Sequence, residues 1–203
     1  MTHGKQTAVK LEAPLWDELD RLAGMQVAAL HYGDGSAEHR RDGVRLSVGR
    51  MIGYIVDNME EEVRAGQKAT DSTTTTTAGR VAASSRPPVR LYSAHDTTLL
   101  PLLLAVGAFD DRWPPFAASL AFELHRLNNN DAASGNGGGQ FDVTVRYNHE
   151  PVPIKGCSDP NACPWPEFAA LMRGRYVPKS WVEECKPMKG VAGGDDGGTG
   201  AHW

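Results

Sequence analysis

The amino-acid sequence predicts an α/β fold, and two kinds of hydrophobic periodicity support that prediction. Apolar residues recur every three to four positions in the first third of the chain, as they do in amphipathic helices. Between positions 141 and 147 they alternate with polar residues, as they do in a strand that buries one face. The chain has 203 residues, 40% of them hydrophobic, which is enough for one good-sized core or part of a larger one.

Charge and hydropathy argue against a nucleic-acid partner and against a membrane-spanning segment. The formal net charge is −4, so the chain carries no basic field that could hold a nucleic-acid backbone. No run approaches the roughly 18–20 continuous apolar residues of a membrane span. The N-terminal residues are polar and lack the apolar stretch of a signal peptide. We therefore expect no nucleic-acid partner and no transmembrane segment.

Two helices are predicted at the start of the chain. Residues 11–31 form the first, an amphipathic helix marked by leucines at spacings of four, four and three: Leu11, Leu15, Leu19 and Leu22. Residues 43–65 carry a wider apolar stripe, which we expect to face a core because acidic residues lie on or near the opposite face. Residues 66–88 include five consecutive threonines and predict a low-complexity loop that is mobile or variable.

The most informative stretch lies in the middle of the chain. Residues 89–94 are rich in β-formers and predict a central strand, while residues 99–107 predict an apolar helix that Gly107 ends. His95 and Asp96 then lie where the carboxyl end of a strand turns into a helix N-terminus. Ligands of open α/β sheets collect at that place, and the helix end favours an anion such as phosphate.

Further along, two strands are predicted at residues 119–125 and 141–147. Residues 128–140 between them include asparagines and three consecutive glycines, so we expect an antiparallel hairpin with a flexible tip at one edge of the sheet. A short helix is predicted to start at Pro166, and the glycine-rich tail at 186–203 is expected to be disordered.

The His95–Asp96 pair supports two interpretations. In the first, Asp96, Thr97 or Thr98 only caps the helix and the histidine beside it is incidental. In the second, His95 binds a phosphoryl oxygen of a phosphate monoester and Asp96 protonates the leaving alkoxide. The sequence contains no G-x-S-x-G elbow, Walker loop or dinucleotide fingerprint that would indicate another chemistry.

Three cysteines lie in the last quarter of the chain. Cys157 and Cys163 flank a short loop, and a disulfide explains them better than zinc, because no second pair or suitably spaced histidine accompanies them. Cys185 then remains as a thiol whose partner is elsewhere. A disulfide implies an oxidising compartment, so a secretory, lysosomal or organellar location is favoured over the cytosol if the bond forms, although no signal peptide is seen.

Several motifs together resemble the C-terminal half of the histidine acid phosphatases, whose domain is phosphoglycerate mutase-like. Residues 91–98, L-Y-S-A-H-D-T-T, resemble the HD signature of that family. The W-P-P-F-A run at 113–117 and the cysteines and aromatic residues within 156–185 follow the family pattern in the same order. The resemblance covers residues 89–185 and, more loosely, the first helices, and the tract at 107–117 is most similar to the lysophosphatidic acid phosphatase branch.

The resemblance implies a covalent mechanism that needs no metal or other cofactor. In this family a nucleophilic histidine in an R-H-G-x-R-x-P motif attacks phosphorus, and arginines hold the phosphate oxygens. Carried over to this sequence, His95 contacts the substrate phosphate and Asp96 is the proton donor. The implied substrates are phosphate monoesters, lysophosphatidic acid among them, and a homodimer is compatible with a full-length chain.

The sequence departs from the family pattern at the nucleophile. It contains no R-H-G-x-R-x-P motif, and its His3-Gly4 pair lacks both arginines and the proline. We therefore expect residues 9–185 to be the C-terminal portion of one domain, incomplete and inactive by itself. A fragment or truncated gene model would also account for the absent signal peptide and for a Cys185 whose partner lies outside this chain.

A second interpretation belongs to a different functional class. The chain would be a catalytically inactive family member that binds a phosphorylated ligand or a partner protein. That interpretation predicts stable folding and phosphate affinity without turnover, whereas a half-domain should expose an apolar face and a strand edge and aggregate. Phytase-type activity on inositol phosphates is a third option within the same superfamily.

Overall fold

A computed structural model of the chain describes residues 12–32, 37–71, 89–127 and 141–186. The helices in these ranges are α1 (Ala13–Tyr32), α2 (Ala37–Asp71), α3 (Asp96–Val106), α4 (Trp165–Arg175) and α5 (Trp181–Glu184). The strands are β1 (Leu120–Arg126), β2 (Phe141–Tyr147), β3 (Glu150–Val152) and β4 (Cys163–Pro164). Helices packed on a sheet confirm the predicted α/β class. None of the described helices is long and apolar enough to cross a bilayer.

The sheet is antiparallel, and β2 lies at its centre. β1 pairs with one edge of β2 and places Phe122 opposite Val145, which confirms the predicted antiparallel pairing. The predicted place of this pair at one edge of the sheet is wrong for β2, which also pairs with β3 and β4. β3 and β4 pair with the other edge, where Cys163 lies opposite Val143. Alternate residues of β2 are buried, as the sequence pattern predicts for a strand with one covered face.

The core lies between the sheet and three helices, α2, α3 and α4. The apolar stripe of α2 is buried as predicted, and it comprises Val48, Ile52, Ile55, Val56, Met59 and Val63. Phe168 of α4 reaches the sheet, and its ring centroid lies 6.3 Å from that of Phe122. Burial of this kind contributes about 25 cal/mol per Å² of apolar surface, so the contact between these helices and the sheet stabilises the fold.

Helix α1 turns its apolar stripe away from the rest of the molecule. Its exposed residues are Leu15, Trp16, Leu19, Leu22 and Met25. The opposite face, with Gly24 and Ala28 buried, packs against the chain around Asp111. A Cβ atom on Gly24 would lie 2.6 Å from the carbonyl oxygen of Asp111, so this contact has no room for a leucine.

The predicted central strand at residues 89–94 is wrong. These residues have no regular secondary structure and pair with none of the described strands, and Leu91 is 93% exposed. β-Propensity favours an extended backbone, but a strand also needs a hydrogen-bonding neighbour, which residues 89–94 do not have within the described part of the chain.

The predicted loop at 66–88 also differs in its first part. α2 continues to Asp71, so the loop cannot begin before residue 72. The remainder of that loop, the hairpin tip at 128–140 and the tail from residue 187 lie outside the described residues.

A disulfide and the hydrogen bonds of two glutamates stabilise the C-terminal part of the described chain. Cys157 and Cys163 are joined as predicted, and Cys185 is exposed and forms no disulfide. Glu167 of α4 accepts hydrogen bonds from the backbone N–H and the hydroxyl of Ser158, at 2.8 and 2.7 Å, and these bonds lower the pKa of its carboxyl. Glu184 of α5 forms two hydrogen bonds with Arg45 of α2, at 2.6 and 2.8 Å.

Candidate active site

His95 and Asp96 lie side by side at the N-terminus of α3. His95 immediately precedes the helix, and its carbonyl oxygen accepts hydrogen bonds from the N–H groups of Thr98 and Leu99, at 2.9 and 3.1 Å. Its imidazole makes no capping hydrogen bond, and both His95 and Asp96 are exposed. The predicted helix end is therefore present, although the predicted strand before it is not.

The segment that leads to His95 is held on α2 by two side-chain contacts. The Tyr92 hydroxyl accepts a hydrogen bond from the Asn58 side-chain amide at 3.0 Å. The Arg90 guanidinium lies 3.6 Å from the Glu62 carboxylate. These contacts, and not a sheet ladder, fix where the chain enters α3.

The Asp96 carboxylate has a hydrogen-bond donor on each oxygen. Its Oδ1 atom accepts from the backbone N–H of the next residue, Thr97, at 2.7 Å. Its Oδ2 atom accepts from the indole Nε1–H of Trp113 at 2.8 Å. Because His95 holds the N-cap position and Asp96 is the first residue of the helix, capping by Asp96 explains neither bond. The bond from Trp113 holds Asp96 from outside its helix.

Trp113 reaches Asp96 because the chain turns back after α3. Gly107 ends the helix in the left-handed region, with φ at 79°. The return segment, residues 107–113, then leads back to the start of the helix, and Asp111 within it adopts a positive φ of 66°. The Trp113 ring is half-buried and packs against the core. The return segment therefore delivers one indole N–H to the start of the helix.

The return segment is fastened to α1 as well as to the core. Arg112 forms two hydrogen bonds with Asp17, at 2.5 and 2.9 Å, and both side chains are largely exposed. The guanidinium holds the pKa of the Asp17 carboxyl below its usual value, and Asp17 raises the pKa of Arg112. Together with the close approach at Gly24, this ion pair holds α1 against the residues that carry Trp113.

The arrangement combines an imidazole and a carboxylate that are open to solvent. An imidazole N–H can bind an anionic oxygen, and a carboxylic acid can give a proton to a departing oxygen. Within the described ranges, no group of three or more His, Cys, Asp or Glu side chains could hold a metal ion.

The sequence predicts roles for His95 and Asp96 but indicates none for Trp113 or Asn58. Trp113 belongs to a W-P-P-F-A run that indicates a loop and follows the family pattern, and Asn58 lies on the polar side of a helix. Neither pattern indicates a partner, because both contacts join parts of the chain that only the tertiary fold brings together.

Comparison with known proteins identifies the class of this fold. The profile of the histidine phosphatase superfamily (branch 2) matches residues 24–148, which is more than half of the chain and includes His95 and Asp96. The chain therefore belongs to this superfamily, and the resemblance to histidine acid phosphatases is confirmed.

Acid phosphatases of two kinds are among the similar curated proteins. Lysophosphatidic acid phosphatase type 6 of Mus musculus is 32% identical over 156 residues, which cover 76% of this chain and 32% of that protein. Lysosomal acid phosphatase of Bos taurus is 33% identical over 115 residues, or 54% of this chain and 24% of that protein. The chain thus spans about a third or less of the length of these relatives.

Proposed function

We propose that this chain contributes a phosphate-binding histidine, His95, and a proton donor, Asp96, to an acid phosphatase that hydrolyses phosphate monoesters. The observation that carries the proposal is the geometry of Asp96. Its carboxylate is open to solvent beside an imidazole, and an N–H donor orients each of its oxygens. Membership of the histidine phosphatase superfamily supports the same assignment.

Each residue has a defined step in the proposed reaction. A nucleophilic histidine attacks phosphorus, the bond from phosphorus to the leaving oxygen breaks, and Asp96 gives that oxygen its proton. His95 meanwhile donates a hydrogen bond to a phosphoryl oxygen. Asp96, now a carboxylate, takes a proton from water, and the resulting hydroxide displaces the histidine from phosphorus and releases phosphate.

The nucleophile has to come from sequence other than these 203 residues, which contain no R-H-G-x-R-x-P motif. The proposal therefore concerns the native polypeptide or complex that contains this chain. Lysophosphatidic acid is the substrate we favour within the monoester class, because lysophosphatidic acid phosphatase type 6 is among the similar proteins.

The substitution Asp96→Asn in the native polypeptide tests the proton-donor role. An amide cannot donate the acid proton, so turnover of an alkyl phosphate should fall by about 10²- to 10⁴-fold, the usual contribution of general acid catalysis. Turnover of p-nitrophenyl phosphate should fall much less, because its phenolate leaves readily without a proton. Steady-state kinetics with both substrates, on protein purified from its source, gives the comparison.

A matched control separates the chemistry from the loss of a surface carboxylate. Glu150 is exposed on β3, and Glu150→Gln makes the same chemical change away from α3. It should leave both turnover numbers unchanged. Wild-type turnover of the alkyl phosphate by the Asp96→Asn protein would refute the assignment of Asp96.

A second candidate is a phosphate-binding domain without turnover, and the missing nucleophile motif favours it. In that case the 203-residue chain alone should bind inorganic phosphate measurably by calorimetry. His95→Ala should abolish the binding heat, and the native polypeptide should show no phosphatase activity. Turnover by the native polypeptide would decide for the acid phosphatase.

A further inference from the structure

We propose that Trp113 is a positioning residue that sets the orientation of the Asp96 carboxylate through its indole N–H. The inference rests on the proposed role of Asp96 as proton donor. It gives a function to the only aromatic side chain that is bonded to that carboxylate among the described hydrogen bonds. It also explains why α1 is fastened to the segment that carries Trp113.

An aspartate carboxylate does not orient itself. The torsion that rotates it is broad, so an exposed aspartate samples many orientations of its two oxygens. Here the Trp113 indole donates to Oδ2 at 2.8 Å and the Thr97 backbone N–H donates to Oδ1 at 2.7 Å. Two donors on different oxygens fix the plane of the group, and each oxygen keeps a second lone pair for a proton or a leaving group.

The Trp113 donor is itself held in place from two sides. Its ring packs against the hydrophobic core. Its backbone passes close to α1, because a Cβ on Gly24 would lie 2.9 Å from the Trp113 nitrogen. The neighbouring Arg112 is paired with Asp17 of the same helix. The inward face of α1 therefore supports the donor that holds Asp96.

This arrangement predicts a specific kinetic signature. Without the indole N–H, the carboxylate would spend less time aimed at the leaving oxygen, while the phosphate contact at His95 would be unaffected. The loss should therefore fall on kcat and not on KM. It should be large for an alkoxide, which needs a proton, and small for p-nitrophenolate, which does not.

The test is Trp113→Phe in the native polypeptide, which keeps an aromatic ring and removes the N–H. We expect kcat for an alkyl phosphate to fall about tenfold or more, the size expected for one lost hydrogen bond to a charged group. Trp181→Phe is the matched control, since it removes an indole N–H that bonds the carbonyl oxygen of Leu46 at 3.0 Å. The control should leave kcat for both substrates unchanged.

Combination with Asp96→Asn isolates the pathway of the effect. If Trp113 acts through Asp96, adding Trp113→Phe to Asp96→Asn should cause no further loss. Equal losses on both substrates, or additive losses in the double variant, would overturn the positioning role while leaving the role of Asp96 intact. An Asp96→Asn protein with unchanged kinetics would instead remove the proposed function on which the inference rests.

A measurement without turnover covers the case in which Trp113→Phe does not fold. In NMR spectra of the ¹⁵N-labelled native polypeptide, the Trp113 indole proton should exchange slowly with solvent. Asp96→Asn should shift that signal and speed its exchange while leaving the Trp181 indole signal unchanged. A Trp113 signal that does not respond to Asp96→Asn would contradict the contact directly.

Discussion

The first two helices carry similar apolar periodicity, and the structure uses it in opposite ways. α2 buries its stripe between α3, α4 and the sheet, and Val56 and Ile52 are almost completely inaccessible. α1 exposes its stripe and packs through Gly24 and Ala28 instead. Periodicity therefore shows that the two faces of a helix differ, but the shape of the surface it meets decides which face is covered.

The largest test of this comparison removes one apolar side chain from each helix. Ile52→Ala leaves a cavity in the core and should lower the free energy of unfolding by about 2–5 kcal/mol. Leu22 on α1 is 48% exposed, so Leu22→Ala leaves no enclosed cavity and should change the free energy of unfolding by about 1 kcal/mol or less. Urea denaturation of the two variants measures the difference.

Similar decreases in the free energy of unfolding for the two variants would contradict the difference between α1 and α2. A Leu22→Ala variant that costs as much as Ile52→Ala would mean that the α1 stripe is covered in solution. The midpoint should then depend on protein concentration if a second copy of the chain covers it.

The next largest effect is on stability, which should change in opposite directions when two helical glycines are replaced by alanine. Gly53 of α2 has only ordinary contacts around the space for a Cβ, at 3.5 Å or more, so Gly53→Ala should stabilise the chain by about 0.5–1 kcal/mol. Gly24→Ala meets backbone at 2.6 Å and should destabilise it by about 1–3 kcal/mol, as overpacking does. Thermal unfolding of both variants gives the two signs, and a stabilised Gly24→Ala protein would show that α1 does not pack this closely.

The smallest expected effect on stability comes from the ion pairs that join α2 to α5 and α1 to the segment at residue 112. Arg45 donates two hydrogen bonds to Glu184 and lowers the pKa of that carboxyl to about 2, from an ordinary value of 4.5. Because the pKa is lowered in the folded state, the stabilisation is present above pH 4.5 and is lost as the pH falls towards 2. The NMR signal of the Trp181 indole should follow this loss.

Two glutamine variants sharpen that titration. Glu184→Gln should remove the acid transition and disturb the Trp181 indole signal already at neutral pH. Glu183→Gln, whose partner is Lys186, should preserve the transition. A transition that persists in Glu184→Gln would mean that another group controls α5.

The two ion pairs should differ in their response to salt. The Asp17–Arg112 pair is more exposed than the Arg45–Glu184 pair, so salt should weaken it more.

The elements that the sequence predicted well are those determined by local patterns. The β1–β2 hairpin follows from alternation and from a glycine-rich connection, and α3 follows from an apolar run ended by Gly107. Residues 89–94 have equally strong local propensity, yet they form no strand because a strand also requires a neighbour. Local patterns cannot supply that neighbour.

The candidate site divides in the same way. His95 and Asp96 are adjacent in sequence and belong to a recognisable signature, so the sequence predicts them, and their catalytic roles stay predictions. The Trp113 contact depends on the return of the chain after α3 and on its packing against α1. Both depend on the tertiary fold, so the spacing of residues along the sequence does not predict the contact.

The glycine at position 24 has a genetic consequence. Any side chain added there meets the backbone of Asp111 and Trp113, so its effect is transmitted to the carboxylate of Asp96, far away in the sequence. A mutational scan scored by activity should find position 24 intolerant even of alanine, while its exposed neighbours Leu22 and Ala23 accept most replacements. Position 24 would then constrain the candidate site although Gly24 contributes no atom to it.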